Sequence, residues 1–412
     1  MSRPRIAVTY SDPTRGGGAE QVCVHVLAAL SEEYDVTLVT LRPPDLAALA
    51  DYYDVPLDPG RVRVRRLGRV PPRALETLGD PLFTLKQALF ARLLRGVADE
   101  YDLVVSAEGE LPLPERGVQY VHDPLFAHWL DPDRDPGPVD RVYDALTRRL
   151  AGFDPEAVAR HALLTNTAWT ADRFEAVYGA RPTVCHPPVD VAEFEPRPWD
   201  ERENGFVVLG RVDPSKRVLE CVETVRRLRE RGHDVHVHVV GPPSPSHPGY
   251  VERVREASEA SFVHYEGALD RDALVELLST HRYGLHGRTD ETFGIVVAEF
   301  AAAGALPFVP AGGGQVEIVR DHPDLVYEGV DDAVRTIDRV LSNPALAAEL
   351  RTVVGDVDER FGPERFAATV RDVVAAELDA DPESESESES VRPAATRSAS
   401  PGGADATEVG GA

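Results

Sequence analysis

Two basic side chains that could bind a diphosphate follow a predicted strand in the second half of the chain. Arg211 and Lys216 come directly after the apolar run 206–210 and lead into a predicted helix. A guanidinium and an ammonium both stabilise negative charge, including the charge that grows on a diphosphate as it leaves. The simpler interpretation is a pair of surface residues at a helix start. Because the chain has only two lysines, Lys86 and Lys216, we favour the diphosphate site.

Two glutamates form a second candidate group. Glu291 lies in a predicted loop, whereas Glu299 lies inside an otherwise apolar helix that opens at Phe293-Gly294-Ile295. A carboxylate in such a helix is costly unless it has a partner. The hydroxyls of a sugar or a ribose are suitable partners, and a nearby arginine is the alternative. The start of the helix also favours an anion close by.

A glycine run, Gly16-Gly17-Gly18, lies between the first predicted strand, at 6–10, and a predicted helix at 20–31. Glycines at this position let backbone N–H groups approach an anion closely, at the positive end of the helix dipole. A flexible turn is the alternative. The run differs from the spaced G-x-G-x-x-G of dinucleotide-binding folds, and no convincing ribose-binding acid follows it.

Two sheets are needed to position these residues. Short β-branched runs alternate with segments of helix length, which predicts parallel strands joined by right-handed crossovers. A proline-rich stretch separates two such series. We therefore predict an α/β protein with two doubly wound parallel-sheet domains and a ligand cleft at the carboxyl ends of their strands. The predicted units are an N-terminal domain at 1–195, a C-terminal domain at 200–362, a terminal helix at 363–378 that could cross back to the first domain, and a disordered tail rich in Ser, Glu, Pro, Gly and Ala at 379–412.

The composition excludes several classes of protein. The 412 residues include 44 Lys+Arg and 70 Asp+Glu, a net charge of −26, which argues against general nucleic-acid binding. Abundant acid with scarce lysine is typical of halophilic proteins, and a codon bias towards arginine is the alternative. Three cysteines without CxxC spacing argue against a disulfide framework or a cysteine-based zinc site. Since we find neither a signal peptide nor a membrane-spanning run, we expect a cytoplasmic protein.

Four motifs, in this order, resemble glycosyltransferase family 4, the retaining transferases of GT-B fold. They are Gly17-Gly18-Ala19-Glu20, Gly210-Arg211 with Lys216, Glu291 with Glu299, and GGGQVEIV at 312–319. The segments 165–170 and 186–190 also resemble the end of the first domain in that family. The resemblance covers roughly residues 5–378. Each motif is moderately specific, and their joint occurrence carries the resemblance.

The resemblance implies a diphosphate site shared by both domains. Arg211 and Lys216 would hold the diphosphate of the donor. Gly17 and Gly18 would let the first domain close on the phosphates. The N–H groups of Gly294 and Ile295 would face phosphate, and Phe293 would belong to the same substrate-binding segment.

The resemblance also implies contacts to the rest of the donor. Glu291 would bind the donor sugar, and Glu299 would bind the nucleotide ribose. The backbone from Gly267 to Leu269 would flank the base. His122, which follows the predicted strand at 117–121, would contact the sugar, and a histidine that caps its own loop is an equally good interpretation.

The implied reaction is transfer of a hexose, of mannose or glucose type, from a nucleotide diphosphate sugar to a glycan or lipid-phosphate acceptor with retention. The leaving diphosphate would take the acceptor proton, so no enzymic nucleophile, metal or cofactor is implied. Another GT-B enzyme, such as a sugar-nucleotide epimerase, and a non-catalytic sugar-nucleotide-binding module are the alternatives. In that family, basic and apolar features of the first domain often contact anionic lipid or a lipid-phosphate acceptor. The resemblance therefore implies a peripheral contact of the N-terminal domain with the inner membrane face, through Arg61, Arg63 and Arg65 and the apolar segment 82–97. Surface ion pairs and a buried helix are the alternative.

Overall fold

The structure is a computed structural model that describes residues 3–14, 16–68, 82–113, 117–131 and 133–380. The tail predicted at 379–412 lies outside the described residues from residue 381 onward. Within the described ranges, no helix is both long and apolar enough to cross a membrane.

The first domain is built on a parallel sheet of seven strands in the order β3-β2-β1-β4-β5-β6-β7. The strands are β1 Arg5–Thr9, β2 Asp35–Thr40, β3 Val62–Arg66, β4 Leu103–Ser106, β5 Gly117–Val121, β6 Ala162–Thr165 and β7 Thr183–Val184. The helices are α1 Gly18–Ser31, α2 Leu46–Tyr52, α3 Phe83–Arg95, α4 Pro138–Ala151, α5 Pro155–Arg160 and α6 Ala168–Tyr178. Helices cover both faces of this sheet, so the central strands are apolar along their length instead of alternating apolar and polar residues. In β1, Ile6, Ala7 and Val8 are wholly buried.

The second domain repeats the arrangement with six parallel strands in the order β10-β9-β8-β11-β12-β13. The strands are β8 Glu203–Leu209, β9 His236–Val240, β10 Val263–Gly267, β11 His281–Leu285, β12 Leu306–Pro310 and β13 Val326–Tyr327. The helices are α7 Val218–Glu230, α8 Pro248–Ala257, α9 Arg271–Thr280, α10 Ile295–Ala302, α11 Gln315–Ile318, α12 Gly329–Leu341, α13 Pro344–Val354 and α14 Val357–Phe361. The prediction of two doubly wound parallel-sheet domains is confirmed.

The last described helix, α15 Pro363–Asp379, packs against the first domain. Phe366, Val370 and Val374 are buried in the same apolar cluster as Val22 and Val26 of α1. Burial of these three side chains stabilises the packing of α15 on the first domain by several kcal/mol, because each fully buried apolar side chain contributes about 1.5–3 kcal/mol.

Candidate active site in the cleft between the domains

The carboxyl ends of the two sheets face each other across a cleft, and direct hydrogen bonds join them. Thr167, which follows β6, donates its hydroxyl to the carbonyl of Thr292 at 2.8 Å. The backbone N–H of Trp169 donates to the carboxylate of Glu317 at 3.1 Å. Because strand ends and helix starts meet at such an edge, ligands of doubly wound domains bind there.

Two helix N-termini meet in this cleft, one from each domain. A Cβ placed on Gly18, the first residue of α1, would lie 2.7 Å from Cδ1 of Ile295, the first residue of α10. The N-cap residues are Gly17 and Gly294, which have no side chain to cap the first turn. Gly294 has a φ of +90°, a backbone conformation that favours glycine. The free N–H groups and the positive dipole ends of both helices are therefore directed to one place that suits an anion.

Lys216 and Glu291, both singled out from the sequence, form an ion pair in the cleft. Lys216 Nζ donates to Glu291 Oε2 at 2.6 Å, and His286 Nε2 lies 3.6 Å from the same oxygen. The two paired side chains are only 21% and 16% exposed. Burial alone would raise the pKa of Glu291, but the His286 ring and the Lys216 ammonium outweigh burial and hold that pKa below its ordinary value. Glu291 is therefore a carboxylate at neutral pH.

Glycines and a short turn position Lys216. The turn Pro214–Lys216 is capped by Asp213, which accepts a hydrogen bond from the N–H of Ser215 at 2.9 Å. A Cβ on Gly287, which follows β11, would lie 2.5 Å from the Lys216 carbonyl oxygen, so only glycine fits there. Arg211 is exposed, and no carboxylate among the described residues pairs with it. Its guanidinium is available to a ligand.

The glycine run 312–314 holds the loop that carries Glu291. The N–H of Gly314 donates to the Glu291 carbonyl at 2.7 Å. A Cβ on Gly314 would lie 2.2 Å from the Thr292 carbonyl oxygen and 2.5 Å from Cγ2 of Thr167, so the run also makes room for the first domain. Side chains at this position would push the two domains apart.

Glu299 contacts an arginine, which is the alternative that its sequence context left open. Arg271, at the start of α9, donates to Glu299 Oε1 at 2.7 Å and to Glu193 Oε2 at 2.5 Å. Burial raises the pKa of Glu299, and Arg271 opposes that rise. Among the residues that the structure describes, the Glu299 carboxylate thus pairs with Arg271, and its contact to a ribose stays a prediction.

The remaining predicted residues of the second domain lie at the carboxyl end of β10 or just before α10. Gly267 ends β10 with a φ of +69°, and its carbonyl accepts the N–H of Gly241 at 2.7 Å. Leu269 is partly buried against the small apolar cluster beneath α9. Phe293 is 2% exposed and packs edge-on against Phe361, so its ring is a packing element, and its contact to a ligand stays a prediction.

His122 follows β5 on the wall of the first domain. Its Nε2 lies 3.0 Å from the Ala107 carbonyl oxygen, which can only accept, so Nε2 carries the proton and Nδ1 is left as an acceptor. Burial lowers the pKa of His122 to about 4. The ring is therefore neutral at pH 7 and can hydrogen-bond to a sugar hydroxyl.

The sequence analysis assigns no individual role to three contributors to this site, His286, Arg271 and Glu317. His286 directly follows β11, and a histidine directly after a parallel strand is a signal for this edge of the sheet. Glu317 lies in the glycine-run motif, and its second carboxylate oxygen is 3.3 Å from Nε2 of His186. Arg271 opens a helix that carries no motif, so nothing local to it indicated its role.

The basic strand of the first domain is neutralised by acids. Arg63 pairs with Asp35 at 2.8 Å, and Arg65 pairs with Glu100 at 2.7 Å. Lys86 of α3 is 2% exposed, so α3 is a buried helix over most of its surface. These residues match the alternative of surface ion pairs and a buried helix.

Comparison with known proteins identifies both halves of the chain. The model of glycosyl transferases group 1 matches residues 191–354, and the model of glycosyltransferase family 4 matches residues 16–193. A D-inositol 3-phosphate glycosyltransferase of Streptomyces bingchenggensis is 28% identical over 259 residues, 56% of each chain. A GDP-Man:Man(3)GlcNAc(2)-PP-Dol alpha-1,2-mannosyltransferase of Dictyostelium discoideum is 24% identical over 228 residues, 50% of this chain and 45% of the relative. The chain spans about half the length of these curated relatives.

Solved structures share the architecture at low sequence identity. HepE of Anabaena in complex with UDP superposes with a TM-score of 0.66 at 16% identity, covering 90% of this chain and 100% of HepE. WaaG, a glycosyltransferase involved in lipopolysaccharide biosynthesis, superposes with a TM-score of 0.64 at 17% identity, covering 89% and 99%. Since the two family models together match residues 16–354 and the fold is that of GT-B enzymes, the chain belongs to the group 1, family 4 glycosyltransferases.

Proposed function

We propose that this protein is a retaining glycosyltransferase that moves a hexose from a nucleotide diphosphate sugar to a glycan or lipid-linked acceptor. The observation that carries the proposal is the meeting of two glycine-capped helix N-termini at Gly18 and Ile295, with the Lys216–Glu291 ion pair next to the second of them. The second cation of the proposal is the exposed Arg211, which shares the connection between β8 and α7 with Lys216. A diphosphate matches this set of donors in charge and in number of oxygens.

The proposed chemistry needs orientation and charge stabilisation. The bond between the anomeric carbon and the diphosphate oxygen breaks, and its electron pair moves to that oxygen. The acceptor hydroxyl bonds to the anomeric carbon on the same face, and its proton passes to the leaving diphosphate. The helix N–H groups and the two cations oppose the charge that grows on the leaving oxygen. Electrostatic groups of this kind are each worth about 10²–10³ in kcat.

Glu291 orients the Lys216 ammonium. An ammonium has three donors, and Glu291 takes one of them at 2.6 Å. The other two are left for phosphate oxygens. In the same proposal the second oxygen of Glu291 accepts from a sugar hydroxyl, and Nδ1 of the neutral His122 accepts from another. Neither residue attacks the sugar.

The donor and acceptor are proposed from the relatives. HepE has been solved with UDP and with UDP-glucose, and the Dictyostelium relative is named for GDP-mannose and a dolichol-linked acceptor. We propose a UDP- or GDP-hexose donor, bound without a metal, and an acceptor that carries a phosphate. Glu299 and the backbone of 267–269 would hold the ribose and the base.

A peripheral contact with the cytoplasmic face of the membrane is part of the proposal, and α4 supports it better than the basic strand does. Val139, Val142 and Leu146 share one face of α4 and are 81%, 70% and 59% exposed. Arg141 and Arg149 are exposed on the same helix. An apolar stripe flanked by cations suits the interface of an anionic bilayer.

Thermal-shift measurements in concentrated KCl test the donor site. UDP, GDP, UDP-glucose and GDP-mannose are added to the full chain, and a bound nucleotide stabilises it by about 2.7 kcal/mol at a hundredfold excess over Kd. Arg211→Ala and Lys216→Ala should abolish the shift, whereas Arg255→Ala, which removes an exposed ion pair on α8, should retain it. An unchanged shift in the first two variants contradicts the diphosphate assignment. NMR of the transfer product tests retention, because the anomeric configuration is read directly.

Sedimentation with anionic vesicles tests the membrane contact. Val142→Glu places a charge in the apolar stripe and should release the protein from the vesicles. Tyr52→Glu changes another exposed apolar side chain, 67% exposed on α2, and should leave binding unchanged. Equal binding of wild type and both variants would remove α4 from the proposal.

A further inference from the structure

Four histidines cluster on the second domain, away from the cleft. His236 and His238 lie on β9, His264 lies on β10, and His281 is the first residue of β11. They gather towards the amino ends of their strands, whereas the cleft is at the carboxyl ends. No residue of the candidate active site takes part in the cluster.

The strand register brings these side chains to one face of the sheet. His236 is paired with Gly205 of β8, and His281 is paired with Glu203 of the same strand. Residues 203 and 205 point to the same face, because side chains alternate along a strand. Gly205 therefore lies between the two imidazoles, on the strand that separates β9 from β11.

Gly205 lets the His236 ring cross over β8. A Cβ at this position would lie 2.4 Å from Nε2 of His236. With glycine there, Nε2 of His236 comes to 3.2 Å from Nε2 of His281. Any other residue at 205 would push the two rings apart.

The nitrogen spacing is that of metal ligands. Nitrogen atoms of His236, His238 and His281 all lie within 4.8 Å of one another. Two imidazole nitrogens on a tetrahedral zinc ion, each about 2.0–2.1 Å from the metal, are separated by about 3.3 Å. The observed 3.2 Å between His236 and His281 matches that separation.

Hydrogen bonds already direct two of the rings. Nδ1 of His281 lies 2.8 Å from the Leu277 carbonyl oxygen, and Nδ1 of His238 lies 2.8 Å from the Glu266 carboxylate. Both partners accept, so both Nδ1 atoms carry the proton and both Nε2 atoms present a lone pair. Metal-binding histidines are oriented in this way by a carbonyl or a carboxylate behind the ring.

A fourth ligand and an entry route are present. Glu203 Oε2 lies 3.6 Å from Nε2 of His236 and 3.9 Å from Nε2 of His281, on a side chain that is 61% exposed and free to turn. His236 and His238 line a cavity of about 470 Å³ with the carboxylates of Glu203 and Asp234.

We propose that His236, His238 and His281, completed by Glu203 or water, bind one divalent transition-metal ion of the zinc type. Imidazole nitrogens with a single carboxylate suit Zn²⁺ and its neighbours and disfavour Mg²⁺ or Ca²⁺. The ion joins β8, β9 and β11 at the end of the sheet opposite the cleft, so its role is structural. The expectation that no metal is needed applied to the transfer reaction and is independent of this site.

Zinc titration of the full chain tests the proposal. The protein is purified without a histidine tag, treated with EDTA and titrated with ZnCl₂ by calorimetry, with metal content measured separately. We expect one zinc per chain. His236→Gln and His238→Gln should each weaken binding by at least about 100-fold, the upper end of the effect of losing a partner behind a ligand. His247→Gln, at an exposed histidine of the same domain, should bind as wild type does.

Two further measurements keep the test independent of misfolding in the ligand variants. Gly205→Ala retains every imidazole but displaces His236, and it should weaken zinc binding by at least about 10-fold. Co²⁺ added to wild type should give the intense visible absorption of a tetrahedral site. The proposal is overturned if wild type binds no zinc, if His247→Gln weakens binding as much as His236→Gln, or if Co²⁺ shows only the weak spectrum of an octahedral ion.

Discussion

Replacing Lys216 by methionine tests the charged pair in the cleft, because methionine keeps the apolar stem and removes the ammonium. A hydrogen bond between charged groups contributes about 1.5–3 kcal/mol to stability when buried, and exposed pairs contribute less than about 1 kcal/mol. The Lys216 and Glu291 side chains are 21% and 16% exposed, between these limits. We therefore expect Lys216→Met to lower the free energy of unfolding by about 1–2 kcal/mol.

A double-mutant cycle measures the interaction itself. Urea unfolding is followed for wild type, Lys216→Met, Glu291→Gln and the double variant, at constant salt. Because each single change leaves one partly buried group without its charged partner, the double variant should be more stable than the sum of the two losses predicts. The coupling energy should reach about 1 kcal/mol or more, above the additivity error of about 0.3–0.5 kcal/mol.

The coupling should depend on pH with a defined sign. The pKa of Glu291 is held below its ordinary value in the folded protein. Its contribution is therefore fully present above the unfolded pKa, about 4.3, and is lost as the pH falls through the lower folded pKa. Lys216→Met removes one of the groups that lower this pKa, so the difference from wild type should be largest near pH 7 and should shrink in acid.

An exposed pair serves as the control. Arg255 and Glu252 are 55% and 63% exposed and lie 3.6 Å apart on α8, so their cycle should give less than about 0.5 kcal/mol. Equal coupling in the two cycles, or additivity of Lys216→Met with Glu291→Gln, would refute the view that a buried ion pair organises the cleft.

Three further changes have definite expected outcomes. Glu299→Gln should sharply lower turnover while urea unfolding stays cooperative, and wild-type turnover would limit Glu299 to its pairing in the protein. Burial raises the pKa of Glu110 to about 7, so above about pH 4.3 the folded state binds more protons than the unfolded state. The free energy of unfolding should therefore fall as the pH rises towards 7. In Glu110→Gln, urea unfolding measured over this pH range should lose that slope. Gly314→Ala, whose Cβ would meet the Thr292 carbonyl at 2.2 Å, should lower stability by about 1–3 kcal/mol, whereas Gly249→Ala, with nothing within 4 Å, should not.

The elements of this fold follow closely from local pattern. The apolar run 6–10 became β1 at Arg5–Thr9, and the segment predicted at 20–31 became α1 at Gly18–Ser31. Strands buried on both faces and amphipathic helices are encoded within a few residues, by side chains that must leave water. The glycines next to the helix starts are also visible in the sequence. The structure shows why one of them is glycine, because Gly294 has a φ of +90°, which few other residue types adopt.

The sequence predicts only part of the candidate active site. Residue chemistry predicts a role for Lys216 and for Glu291 separately, but their contact joins residues 75 positions apart. The partner of Glu299 is Arg271, 28 positions away on a helix without a motif. An ion pair depends on which elements become neighbours, and neither residue type nor spacing records that choice.

The sequence alone determined which residues carry charge and which segments form buried strands. It also contains the motifs that carry the family resemblance. Tertiary structure decided which side chains meet. The histidine cluster is the clearest case: His236 and His281 face each other only because β8 lies between β9 and β11 with Gly205 at the crossing point. Hydrophobic burial drives strands together without direction, whereas hydrogen-bond register and the space left by one missing Cβ set distances of a few ångströms, and chemistry depends on those distances.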